Sequence, residues 1–220
     1  MQFSIFRSLA ISGLLTIAIA CWLGGGLGNS VDVALIRQGI SARAAGPLAT
    51  DAGLFLNYAG GAPATLGLGL ATAMLLYFRE HKRAALWFVA IAGVGRLLVE
   101  GIKLTVQRAR PALDPHPVLT HSLSFPSAHA ANSMIVFPML VLFLVAPGKR
   151  LLPMAIAIFA SLIIGASRPL LGVHWPSDVV AGWALGGAWL LTTWPIARAS
   201  VSREHHHDIV SGHRAALLEE

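Results

Sequence analysis

Three short blocks of this sequence carry residue types suited to chemistry on a phosphate. They read Lys103-x6-Arg110-Pro111, Pro126-Ser127-Ala128-His129 and Ser167-Arg168-x5-His174-x3-Asp178. Phosphoryl transfer spreads negative charge over the equatorial oxygens, so its catalysis rests on positioning and electrostatic stabilisation. Arg110 and Arg168 offer planar forks that match phosphate oxygens, and Lys103 a compact point charge. Ser127 falls where a helix begins. It is a suitable N-cap, and the backbone N–H groups of Ala128 and its neighbours form an anion site there. His174, with Asp178 four residues on, suits a nucleophile held in one tautomer by a carboxylate. His129 suits a general acid that protonates the departing oxygen. Apart from Asp114 in the intervening loop, Asp178 is the only carboxylate in these blocks, and no metal-ligand cluster is visible. The expected chemistry uses neither a metal nor a cofactor.

The elements between the blocks decide whether they meet. The chain has 220 residues, 55% hydrophobic and 12% charged, about half the charge of an ordinary globular domain. Its mean hydropathy is +0.69. Crossing a bilayer core takes about 20 apolar helical residues. Six such runs are present, at residues 8–28, 59–78, 84–102, 128–146, 151–166 and 178–196. This excludes disorder, collagen, coiled coil and a disulfide scaffold, and a lone Cys21 forms no intrachain disulfide. The expected fold class is all-α: a polytopic membrane protein with six transmembrane helices in a bundle. Residues 1–196 form the membrane domain and 197–220 a polar tail.

Loop charge sets the orientation. With both termini cytoplasmic, Arg7, Arg79, Lys82, Arg83, Lys149, Arg150, Arg198, Arg203 and Arg214 lie inside. Arg37, Arg43, Lys103, Arg108, Arg110 and Arg168 then lie outside, and the bias grows once Lys103, Arg110 and Arg168 are assigned to chemistry. Alternating crossings place all three blocks on that outer face of the cell (inner) membrane, toward the periplasm or exterior. The net charge of +6 reads as loop charge of this kind, with no nucleic-acid partner, because no Lys/Arg-rich run lies outside the short loops. The Arg7 flank and Ala18-Ile19-Ala20-Cys21 raise a cleaved signal. The run stays apolar through Trp22 and Leu23, so the first helix is expected to remain.

Other residues receive plainer readings. Arg96 and Glu100, one helical turn apart inside the third span, are expected to pair with each other; the alternative is that Glu100 orients Lys103. Asp114, His116 and His121 read as a solvated loop. His205, His206, His207, Asp208 and His213 read as a hydrophilic tail and not a metal site. Residues 29–57 have no catalytic signature and are expected on the outer surface near the pocket mouth. The tryptophans read as interfacial belts and bundle packing, except Trp175, which is placed to wall the pocket.

The three blocks, in this order and spacing, resemble the signature blocks of the type 2 phosphatidic acid phosphatase superfamily. That family holds integral-membrane lipid phosphatases and, on a related helical core, soluble acid phosphatases and vanadium haloperoxidases. The resemblance spans residues 103–178 by motif. It implies a phosphohistidine on His174 oriented by Asp178, with His129 as proton donor. Lys103, Arg110, Ser127, Ala128 and Arg168 are implied as phosphate ligands. Ala128 departs from the family's usual glycine; alanine keeps the backbone N–H and fails only where φ must be positive.

The expected function is hydrolysis of a lipid phosphate or diphosphate: phosphatidic acid, phosphatidylglycerol phosphate or undecaprenyl diphosphate. A phosphotransferase of the same superfamily differs only in its acceptor. A transporter would be expected to show an inverted repeat, and none is evident. The expected partners are the lipid substrate and the bilayer; the oligomeric state is left open.

Overall fold

The computed structural model describes the backbone of residues 2–120 and 122–216, and the side chains of residues 4–120 and 122–200. Among the described residues there is no strand. The helices are α1 (Gln2–Gly24), α2 (Ser30–Ala44), α3 (Pro47–Gly60), α4 (Ala62–Phe78), α5 (Lys82–Val106), α6 (Ala128–Leu144), α7 (Leu151–Leu170) and α8 (Pro176–Ala216), with a 3-10 turn at Pro147–Lys149. Five segments are long and apolar enough to cross a bilayer: Ser4–Gly24, Pro47–Phe78, Lys82–Val106, Leu151–Leu170 and Pro176–Ser200. The helix α6 is shorter, at 17 residues.

Helix α6 is the centre of the bundle. It packs against α3, α4, α5, α7 and α8, and its residues from Ala130 to Phe143 are almost all buried. A helix apolar on every face is the one a bundle surrounds. Toward one end, Phe88, Ile91, Ile135, Met139 and Leu142 form the main apolar cluster, with Phe88 and Phe143 edge to face at 5.3 Å. Toward the other end, α6 and α8 approach backbone to backbone. A Cβ on Gly182 would lie 2.7 Å from the Ser127 carbonyl oxygen, and one on Gly186 2.7 Å from that of Ala131. Small residues one turn apart are a common device for close helix packing in membranes. Here the device lets the Ser127 N–H donate to the Asp178 carbonyl at 3.0 Å.

One expectation changes. The second span is part of a longer segment, α3 and α4, interrupted where Gly61 turns to extended backbone and Pro63 enters the first turn of α4. Pro63 cannot donate a helical hydrogen bond, so the break falls there. Residues 29–57, expected on the outer surface near the pocket mouth, are helical. They form α2 and α3, both packed against α7, and α2 buries Asp32, Ile36 and Gly39. Helix α8 also runs without a break across the expected boundary at residue 197.

Candidate active site

The C-terminal ends of α5 and α7 and the N-terminal ends of α6 and α8 meet at one end of the bundle. All three sequence blocks sit there. Gln107, in the left-handed region at φ 51°, closes α5 and turns the chain into the loop carrying Arg108 and Arg110.

His174 is 2% exposed. Its Nε2 lies 3.1 Å from an Arg110 amino nitrogen. A guanidinium only donates, so Nε2 must be the acceptor and the imidazole proton sits on Nδ1. That proton faces Ser124 Oγ at 3.4 Å and Asp178 Oδ2 at 3.6 Å. Ser124 Oγ in turn donates to Asp178 Oδ2 at 2.5 Å. The Nδ1 proton therefore faces a hydrogen-bonded Ser124–Asp178 pair, with the hydroxyl and the carboxylate oxygen almost equally distant. Burial holds His174 well below the ordinary imidazole range, and Arg110, Lys103, Arg168 and His129 add to the effect. The ring is a neutral base whose Nε2 lone pair is engaged by Arg110.

Among the described residues, two buried side-chain atoms have no hydrogen-bond partner: Ser127 Oγ and Arg168 Nε. Both belong to residues expected to hold phosphate. Buried polar atoms are almost always paired, so two unpaired donors, one at the start of α6 and one in the last turn of α7, suit an anion at this end of the bundle. Ser127 begins α6 without a side-chain capping bond, so its hydroxyl does not act as the expected N-cap. Arg168 donates to Asn57 Oδ1 at 2.9 Å. Ala128 is not among the residues with positive φ, so alanine serves there without strain.

Lys103 donates to the carbonyls of Leu123 and Pro126 at 2.8 and 2.7 Å. Two of its three protons thus brace the second block, leaving one for an anion. Arg110 is fixed by Ser122 on one side and by the Val173 carbonyl on the other. Burial lowers its proton affinity, while Asp178 opposes the shift. His129 Nε2 lies 3.2 Å from the Asn57 carbonyl oxygen; a carbonyl only accepts, so Nε2 carries a proton.

Several contributors were not apparent from the sequence. Asn57 comes from the segment with no catalytic signature, yet it touches both Arg168 and His129. Ser124 and Ser122 lie beside the second block, and their polarity was the one available signal. Arg108, counted only as a loop cation, pairs with Asp178 at 2.8 Å. Trp175 is buried, as expected of a pocket wall, and its indole donates to the Ala109 carbonyl while its N–H donates to Asp178.

Other readings need correction. Among the described residues, no ion pair joins Arg96 to Glu100. Arg96 instead lines an apolar cavity of about 340 Å3 with Thr65, Phe88 and Asn132. Asp114 is not simply solvated, since it pairs with Arg43 at 2.5 Å, and His116 contacts the Pro111 carbonyl at 2.8 Å. His121 and the side chains of the tail histidines and Asp208 lie outside the described residues. Among the described residues, no three His, Cys, Asp or Glu gather as a metal-binding group.

A family model of the PAP2 superfamily matches residues 84–202, more than half of the chain and all three blocks. The chain belongs to the PAP2 superfamily. A solved PAP2 structure, described as a transmembrane PAP2 type phosphatidylglycerolphosphate phosphatase from Bacillus subtilis, superposes with a TM-score of 0.74. The match has 26% identity and covers 86% of this chain and 95% of that one. Phosphatidylglycerophosphatase B of Bacillus subtilis is 33% identical over 50% of this chain and 57% of its own length. An undecaprenyl-diphosphatase of Sulfolobus acidocaldarius is 32% identical over 54% of this chain and 57% of its own. A decaprenylphosphoryl-5-phosphoribose phosphatase of Mycobacterium tuberculosis is 36% identical over 53% and 64%. The matched regions span between half and two thirds of these PAP2 relatives' lengths.

Proposed function

We propose that this PAP2 protein is a membrane lipid phosphatase working through a phosphohistidine on His174. The observation that carries the reading is the pair of unsatisfied buried atoms, Ser127 Oγ and Arg168 Nε, near a neutral imidazole whose Nε2 accepts from Arg110. Substrate phosphate takes the place of Nε2 as the acceptor for Arg110. Nε2 then attacks phosphorus as the P–O bond to the lipid breaks, and the departing oxygen takes a proton from His129, which acts in its imidazolium form once the substrate's negative charge is beside it. Water next attacks phosphorus, gives a proton to His129 and releases Nε2. Ser124 and Asp178 hold the Nδ1 proton throughout and stabilise the positive charge that forms on the ring.

A lipid substrate follows from place. The site lies at the ends of membrane-spanning helices, the depth at which a lipid headgroup is already held in the leaflet. The named relatives act on phosphate carried by phosphatidylglycerol or a polyprenyl chain, which supports phosphatidic acid, phosphatidylglycerol phosphate and undecaprenyl diphosphate as the panel to test. Loop charge supports a site on the outer face with both termini cytoplasmic.

The test is phosphate release by detergent-solubilised protein from that panel, beside a water-soluble diphosphate. Release from at least one lipid, surviving excess EDTA, is expected. Transfer of phosphate to an added lipid acceptor without release would assign the protein as a phosphotransferase instead.

A further inference from the structure

We propose that Arg108 is a positioning residue for this reaction, fixing the carboxylate behind His174, and that Asp32 anchors it through Ser177. The inference rests on the phosphohistidine reading and concerns residues outside the three blocks.

Asp178 is 0% exposed, and its two oxygens have separate partners. Oδ2 accepts from Ser124 Oγ and the Trp175 N–H, at 2.5 and 2.9 Å. Oδ1 accepts from Arg108 at 2.8 Å. Arg108 therefore sets the rotation of the carboxylate that Oδ2 presents to the nucleophile. The same residue holds Ser124, because its carbonyl accepts from the Ser124 N–H at 2.9 Å. A side chain that fixes Asp178 and a backbone that fixes Ser124 together determine where the Nδ1 proton of His174 finds its acceptor.

Arg108 is itself clamped from three sides. Its second amino group donates to the carbonyls of Cys21 and Trp22 at the end of α1. The guanidinium lies 4.6 Å over the Phe125 ring. Its first amino group also donates to Ser177 Oγ at 3.1 Å. Ser177 Oγ donates onward to Asp32 Oδ2 at 2.5 Å, and the Ser177 N–H to Asp32 Oδ1 at 2.9 Å. Asp32, 3% exposed, thus serves the first turn of α8 from a different helix, where a carboxylate also suits the helix dipole. Room for this join comes from Gly25, since a Cβ there would meet Ser177 Oγ at 2.0 Å. The result is a run of contacts from α2 to the nucleophile: Asp32, Ser177, Arg108, Asp178, Ser124, His174. None of the Arg108 side-chain bonds reaches Ser127 or Arg168, so its removal should alter the reacting imidazole and spare the anion cradle.

The test uses the full chain in detergent with p-nitrophenyl phosphate, a soluble monoester that needs only the histidines and the cradle, and in parallel with the lipid panel. Arg108→Met is expected to lower kcat roughly 30-fold or more, with KM and the inhibition constant of inorganic phosphate within about threefold. Arg108→Lys should recover part of the loss, because an ammonium can still pair with Asp178. Ser177→Ala should cost roughly three- to tenfold in kcat, and adding Asp32→Asn to Arg108→Met little more, since both act through one bridge. The proposal is overturned if Arg108→Met keeps kcat within about threefold, or if KM and the phosphate constant worsen in step with kcat. Should Arg108→Met not fold, unchanged kcat in both Arg108→Lys and Ser177→Ala overturns it equally. Turnover of p-nitrophenyl phosphate without turnover of any lipid would strike the lipid reading and leave the role of Arg108 standing. Turnover of neither by the unmodified protein would sink both.

Discussion

Arg110 and His174 face each other at 3.1 Å, guanidinium to Nε2, and this contact decides which imidazole nitrogen carries the lone pair of the proposed nucleophile. Because the arginine can only donate, the lone pair is on Nε2 and the proton on Nδ1. The group that holds the nucleophile at rest is also one expected to grip the phosphate. Arrival of substrate exchanges one acceptor for another and frees Nε2 at the moment it is needed.

Loss of His174 removes the bond-forming atom. His174→Ala should reduce phosphate release by about 10³-fold or more, and acid-labile phosphoenzyme should vanish with it. Activity retained within about tenfold of the unmodified protein would refute the nucleophile assignment.

Burial, helped by Arg110 and the neighbouring cations, keeps His174 neutral far below the ordinary imidazole range. Its protonation should therefore not produce an acid limb near pH 6.5 in kcat/KM. The sign for stability follows from linkage. Below about pH 6.5 the unfolded chain binds a proton on this residue and the folded chain does not, so stability falls as pH drops. Thermal unfolding in detergent at pH 7 and pH 5 should show a smaller decline for His174→Asn than for the unmodified protein.

Ser124 Oγ bonds to Asp178 and is the nearer of the two oxygens to the Nδ1 proton. Ser124→Ala leaves the carboxylate 3.6 Å from the ring, too far for a good hydrogen bond. We expect kcat to fall roughly 10- to 100-fold with little change in KM. A steady-state comparison in which only KM moves would contradict this role.

Asn57 holds Arg168 in place from a separate helix. Asn57→Ala should weaken inhibition by inorganic phosphate about fivefold to tenfold, and Arg168→Ala more strongly, because a charged hydrogen bond is worth about 1.5–3 kcal/mol. Equal phosphate inhibition in Arg168→Ala and the unmodified protein would remove Arg168 from the anion site.

Gly182 sets the separation of α6 and α8. In Gly182→Ala the new Cβ meets the Ser127 carbonyl at 2.7 Å, a backbone atom that yields only if the helix moves. Overpacking of this kind costs about 1–3 kcal/mol, and the shift displaces Ser127. A lowered melting temperature together with weaker phosphate inhibition is expected; an unchanged protein would show that the contact is soft.

Orientation is open to chemical labelling. In a Cys21→Ala background, a cysteine at Leu119, which is 89% exposed, should react with an impermeant maleimide from outside the inner membrane. A cysteine at Gly148, in the turn before α7, should react only after permeabilisation. The reverse pattern would invert the proposed topology.

The sequence by itself determined the class of the protein and the chemical identity of most of its site. Run length and hydropathy specify crossing helices because the bilayer tolerates nothing else over that depth. The three blocks supply the residue types of the proposed acids, bases and phosphate ligands, because their spacing is local. Tertiary structure decided the connections between them. The Asp32–Ser177 and Asn57–Arg168 bonds join residues 145 and 111 positions apart, and no local pattern states which distant helix will lie alongside. For the same reason the sequence paired Arg96 with its neighbour Glu100, whereas the packing of α4, α5 and α6 turned Arg96 toward a cavity. It also set Asp178 against His174 without the Ser124 hydroxyl that the fold adds beside the carboxylate. A side chain's type limits what it can bond; only the packing of the helices selects its partner.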